Sequence, residues 1–140
     1  MLIQLTYASR ASRTLGPSDV KDILATSQRN NAAVGVTGAL CLANGIFLQQ
    51  LEGDRDVVNH TDLRILKDPR HVEPAILDFS EIAARRFGNW NMGLISSLSE
   101  NRQMFLKYSP KAEFDPYSMS PASLREFFDE IVHHGVRWIG

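Results

Sequence analysis

The chain has 140 residues, enough for one domain with its own core and an accessory element but too few for two ordinary domains. Apolar residues at 44% and charged residues at 22% set aside disordered and collagen-like chains, and a formal net charge of -1 gives no drive toward nucleic acid, whose non-specific binding rests on excess Lys and Arg. A single cysteine, Cys41, excludes an intramolecular disulfide, and no apolar run approaches the ~20 residues that span a bilayer. With no basic, apolar leader at MLIQLTYAS, the expected setting is the reducing cytoplasm, away from membranes.

Leu2 to Ser9 alternates Ile3, Leu5 and Tyr7 on one side with Leu2, Gln4 and Thr6 on the other, the period of a strand. Gly16-Pro17-Ser18 opens a helix to about Asn30, with Ser18 as N-cap and Val20, Ile23, Leu24, Ser27 and Asn31 on one stripe. Val36 to Leu42 and Ile46 to Leu51 read as strands joined by a tight hairpin at Asn44-Gly45. A second helix is expected from about Arg55 to Lys67, with Val58, Thr61 and Ile65 on a common face, before Asp68-Pro69 stops it. Pro74 marks the next boundary, and Ala75 to Ile82 and Trp90 to Ser96 complete the strand set.

The order β-α-β-β-α-β-β predicts an α+β, ferredoxin-like sheet with two helices on one face. Helices at about Glu100 to Lys107 and Pro121 to His134 would cover the other face through Leu124, Phe127, Phe128, Ile131 and Val132. The expected division is residues 1–96 as the sheet domain and 97–140 as a helical extension packed on its sheet. Tyr108 to Pro121 reads as an ordered loop.

Ordinary enzyme signals are missing: the chain has no Gly-rich phosphate loop and no nucleophile elbow. His60, His71, His133 and His134 lack the spacing of a metal site, and Cys41 reads as a small buried hydrophobe. Polar residues at inward positions stand out instead: Tyr7 on the first strand, Asn31 on the packed helix face, and Gln49 in phase with Phe47 and Leu51. An unpaired buried amide costs about 1–3 kcal/mol, so Gln49 needs a side-chain network or a polar ligand.

Tyr7, Ser27-Gln28-Arg29-Asn30-Asn31, Gly35-Val36-Thr37-Gly38-Ala39-Leu40, Phe47-Leu48-Gln49-Gln50-Leu51-Glu52-Gly53, Asp68-Pro69-Arg70-His71 and Arg86-Phe87-Gly88-Asn89-Trp90-Asn91-Met92 resemble, in order and spacing, the BLUF family of flavin-binding blue-light sensors. Leu106 to Pro110 and Ser118-Met119 are similar to short BLUF photoreceptors without an output enzyme. The resemblance implies FAD, with FMN or riboflavin as substitutes, between the two helices, which makes residues 1–96 the flavin-binding domain. Asn30, Asn31 and Ser27 would meet its ring from the first helix and Ile65 from the second, with Arg64, Arg70 and His71 beside the ribityl and phosphate. It further implies that Tyr7, Gln49 and the flavin form the light switch, and that Trp90 and Met92, in phase on the last strand, carry the change outward. A downstream signalling protein and a homo-oligomer are the implied partners, and the chain itself would be no enzyme. Gln50 stands where the family often has an apolar residue, which bears on docking of the C-terminal helices. A flavin-dependent redox enzyme and a ferredoxin-like interaction module are the competing readings.

Overall fold

The computed structural model describes residues 1–88, 90–96, 102–133 and 137–139, without the side chains of residues 96, 133 and 137–139. Its elements are β1 (Leu2–Ala11), α1 (Pro17–Val34), β2 (Thr37–Ala43), β3 (Ile46–Asp54), α2 (Arg55–Leu66), β4 (His71–Glu81), β5 (Gly93–Ser96), α3 (Arg102–Tyr108), α4 (Pro121–His133) and β6 (Arg137–Ile139), with a 3-10 turn at Pro116–Ser118. Asn89, Glu100 and His134, named above, lie outside the described residues.

The strands form one sheet in the order β4-β1-β3-β2-β5-β6. β3 lies antiparallel between β1 and β2, so the β1-α1-β2 crossover is split by the strand that follows it, the ferredoxin-like arrangement expected. The β2–β3 hairpin closes at Ala43↔Ile46 across Asn44 (φ 53°) and Gly45 (φ 68°), the paired positive φ angles of a two-residue turn that follows strand twist. Gly38 is needed for close approach: a Cβ there would stand 2.2 Å from the Gln50 carbonyl oxygen.

Several boundaries differ from the sequence reading. The N-cap of α1 is Gly16 rather than Ser18; its N–H donates to the Asp19 carboxylate at 3.0 Å, the reciprocal half of a capping box, while the Asp19 N–H donates to the Gly16 carbonyl at 3.1 Å in place of a capping hydroxyl. Pro74 lies within β4 rather than before it; β4 pairs only with β1, and an edge strand tolerates a residue without an N–H. The last expected strand starts at Gly93, so Trp90 and Met92 precede it. A sixth strand, β6, pairs with β5 and brings the C-terminal stretch back into the same sheet. Three residues are too short a run to show strand periodicity.

Two cores lie on the two faces of the sheet. Ile3, Leu5, Leu40, Phe47 and Leu51 pack against Ile23 and Leu24 of α1 and Val58 of α2. Ala8, Ala39, Cys41, Ile46 and Leu48 point the other way and are covered by Phe105 of α3, Phe114, and Leu124, Phe127, Phe128 and Ile131 of α4. Cys41 is fully buried there, and burial pushes its thiol well above the usual range.

Candidate functional site

The register of β1 and β3 sets Tyr7 opposite Gln49, and both side chains turn to the face covered by α1 and α2. Each is 1% exposed. The Tyr7 hydroxyl donates to Gln49 Oε1 at 2.5 Å. With Oε1 engaged, the amide Nε2 is what Gln49 has left to offer the space in front of it. Burial, then the negative charges of Asp62 and Asp68, push the Tyr7 hydroxyl well above its ordinary pKa, so it remains a phenol and a donor.

That space is a cleft of about 270 Å³ between α1 and α2, lined by Ile23, Thr26, Ser27, Asn30 and Asn31 from α1, by Thr61, Arg64 and Ile65 from α2, and by Lys67, Asp68, Arg70 and His71 beyond it, with Gln49 behind. Asn31, 2% exposed, donates Nδ2 to the Asn91 carbonyl at 2.7 Å, and Asn91 Nδ2 donates to the Val36 carbonyl at 3.2 Å. Asn31 is thus oriented from the segment before β5, with its own carbonyl left as an acceptor. Gln28 Nε2 donates to the Met92 carbonyl at 3.1 Å, tying the same segment to α1 a second time.

The cations at the mouth are not equivalent. Arg70 binds both Asp68 (2.8 Å) and Asp22 (3.1 Å), and this partnership holds the Asp68 carboxyl below its usual range. His71 Nδ1 lies 2.8 Å from Ser9 Oγ, its ring rests 4.3 Å from Phe47, and burial lowers its pKa. Arg64 is exposed, and among the described residues neither it nor Lys67 has a carboxylate within ion-pair distance. Trp90 and Met92 separate: Met92 is fully buried in the cluster that contains Tyr7, whereas Trp90 packs on the opposite core. The expected shared phase of these two residues is therefore corrected, because no strand carries them.

The sequence model for BLUF, described as sensors of blue-light using FAD, matches residues 2–93. The chain belongs to the BLUF family. It is 36% identical over 92 residues to photoactivated adenylate cyclase subunit beta of Euglena longa and 37% identical over 92 residues to that of Euglena gracilis. Each match takes in 65% of this chain but only 11% of the curated relative, so the chain spans about a tenth of those proteins. Among solved structures, BlsA superimposes in its ground state with a TM-score of 0.87 and in its photo-activated state with 0.88, at 27% identity, covering 98% of this chain and 91% and 99% of those chains. The dark-state structure of BlrB, a BLUF protein, gives 0.75 at 32% identity, covering 94% of this chain and 95% of that one.

The BLUF cofactor is FAD, and the residues present suit a flavin ring. Ile23 and Ile65 supply apolar walls from opposite helices, while Asn30, Asn31 and Gln49 supply amide groups for a heterocycle edge. Every residue expected at the flavin lines this cleft except Tyr7, which stands behind Gln49. Sequence reasoning missed Asn91, whose role depends on its carbonyl, and Thr26 and Lys67. The signal for Thr26 was its spacing of three from Ile23 and four from Asn30 on α1, and for Lys67 its place three residues after Arg64 at the end of α2; Asn91 lies on no helix and had no such signal.

Proposed function

We propose that this BLUF chain is a blue-light photoreceptor in which Tyr7 and Gln49 are the switch. The observation that carries this reading is the 2.5 Å bond from the Tyr7 hydroxyl to a glutamine that itself lines the cleft. Bound FAD supplies blue-light absorption and, once excited, an acceptor for an electron and a proton. Tyr7 gives up both and takes both back, and Gln49 is left with its amide rearranged by rotation or tautomerism. A side-chain amide suits this role because it holds two donors and an acceptor, so one rearrangement reverses the pattern it presents. Asn31 and Asn30 hold the heterocycle edge, Ser27 lines the same stripe, and Ile65 packs on the ring. A cleft of about 270 Å³ suits a planar ring system rather than a whole dinucleotide. Arg64, with Lys67, meets the phosphates at the mouth, since guanidinium donors match phosphate oxygens. Arg70 and His71, engaged with protein groups, shape the mouth.

Output runs through the segment before β5. Met92 shares the buried cluster of Tyr7, and Trp90 contacts the core beneath α3 and α4, so a shift along residues 90–92 reaches both faces. The chain passes its state to a downstream signalling protein, as a homo-oligomer in the cytoplasm, and is not itself an enzyme. Among the described residues no helix is long and apolar enough to cross a membrane.

A light-minus-dark absorption spectrum of the purified protein tests the reading. A reversible red shift of the flavin bands that decays in darkness is expected in the wild type. Tyr7→Phe should keep the flavin and lose normal cycling, because the ring shape survives and the transferable proton does not. A wild type that binds flavin without a red shift, or an unaltered cycle in Tyr7→Phe, refutes it.

A further inference from the structure

Behind α2, away from the flavin cleft, lies a second cavity of about 300 Å³, walled by Tyr7, Asp62, Leu66, Pro74, Ala75 and Ile76. It sits between α2 and the edge strand β4. Asp62 is 7% exposed, and its Oδ1 is buried without a hydrogen-bond partner. A carboxyl oxygen in that state costs stability. The polar side chains in the cavity wall are Asp62 and Tyr7 alone. Tyr7, which bonds Gln49 on one side, therefore shares a cavity with an acid whose Oδ1 has no hydrogen-bond partner.

We propose that Asp62 is a positioning residue for the Tyr7 hydroxyl, and that its ionisation sets how fast the lit state reverts to the dark state. This rests on the assignment of Tyr7 and Gln49 as the switch. An ionised Asp62 makes the phenol a weaker acid and a weaker donor, and so loosens the bond that holds Gln49 in place. A neutral Asp62 removes that restraint and leaves the bond stronger. Burial raises the Asp62 carboxyl above its ordinary value. Asp68 acts on Tyr7 as well, but less than Asp62, and it is held by Arg70. Of the other elements around the cavity, β4 contributes Pro74, Ala75 and Ile76 and α2 contributes Leu66, none of them charged. His71 lines the flavin cleft and is engaged with Ser9.

The test follows the rate of dark recovery of flavin-loaded protein against pH in wild type, Asp62→Asn, Asp62→Leu and Asp62→Glu. In the wild type the rate should rise by about three- to tenfold as pH passes a midpoint raised from the ordinary Asp value, a change of the size that one neighbouring charge imposes on a barrier. Asp62→Asn and Asp62→Leu should keep the red shift and lose this inflection, remaining at the slow limit, while Asp62→Glu should retain it. In protein held lit by continuous blue light, the Asp62 carboxyl carbon followed by NMR should titrate at the same midpoint. A purely structural Asp62 would alter flavin occupancy or Tm and leave the profile in place. An Asp62→Asn profile that superimposes on the wild type, a wild-type rate that falls with pH, or an NMR midpoint apart from the kinetic one overturns the proposal. A wild type that binds flavin without any red shift fails the underlying switch instead.

Discussion

Gln49 and Gln50 are neighbours on β3, the same in chemistry and both buried, and they meet opposite environments. Gln49 takes one bond from Tyr7 and otherwise faces a cleft. Gln50 donates to Gln4 Oε1 at 3.3 Å and Thr6 Oγ1 at 3.1 Å on the other face, within a strip that runs on to Glu52. Glu52, 0% exposed, accepts from Thr37 Oγ1 (3.0 Å), the Arg86 N–H (2.7 Å) and the Phe87 N–H (2.9 Å), and so clamps residues 86 and 87 onto β3. Arg85 adds bonds to Thr37 and to the Glu52 carbonyl. Burial of a polar side chain is thus no sign of function by itself. What separates the two glutamines is whether the remaining capacity of the amide opens on a cavity large enough for a ligand or on more protein.

Removal of residues 97–140 should have the largest effect. Phe105, Phe114, Leu124, Phe127, Phe128 and Ile131 are buried on the Gln50 face, and each contributes about 1.5–3 kcal/mol by burial. Their loss is comparable to the ~5–15 kcal/mol that stabilises a whole domain, so the truncated chain should be unfolded by circular dichroism and hold no flavin. A folded, yellow truncation would show that the cleft face stands without the other.

Gln49→Leu should abolish the red shift while the flavin remains, because the ring stays packed and the rearrangeable amide is gone. It should also cost about 1–3 kcal/mol in denaturant melts, since the Tyr7 hydroxyl loses its acceptor. An intact red shift would sink the assigned role. On the other face Glu52→Leu should do the reverse. It strands the N–H groups of Arg86 and Phe87, costing about 2–5 kcal/mol, and leaves the difference spectrum of the folded fraction unchanged in shape. Gln50→Leu should have the smallest effect. Its Oε1 is already buried without a partner, so an apolar replacement offsets the two lost bonds and stability should change by less than about 1 kcal/mol. Thermal melts of these variants order the two faces directly.

Gln50 also bears on the docking of α3 and α4. The sequence places it on the face those helices must cover, where a polar residue reads as an obstacle. In the fold the obstacle is absorbed by Gln4 and Thr6 from β1, while Ala8, Ile46 and Leu48 make the apolar contact. Asp62 shows the opposite outcome, since the sequence carries no sign of it: it lies one residue from Thr61 on a helix read for its apolar face, and its neighbours across the cavity come from β1 and β4.

By itself the sequence determined the order of strands and helices as far as α4, though not β6, together with the Asn44-Gly45 hairpin and the inward phase of Tyr7 and Gln49. These follow from period, turn chemistry and alternation, which act within a few residues of chain. Only the tertiary structure decided that Tyr7 and Gln49 are bonded, that Met92 and Trp90 part to opposite faces, that Asn91 orients Asn31, and that Asp62 shares a cavity with Tyr7. Each of these joins residues more than 40 positions apart along the chain or depends on which face a segment outside any strand turns toward, and local patterning carries no information on either.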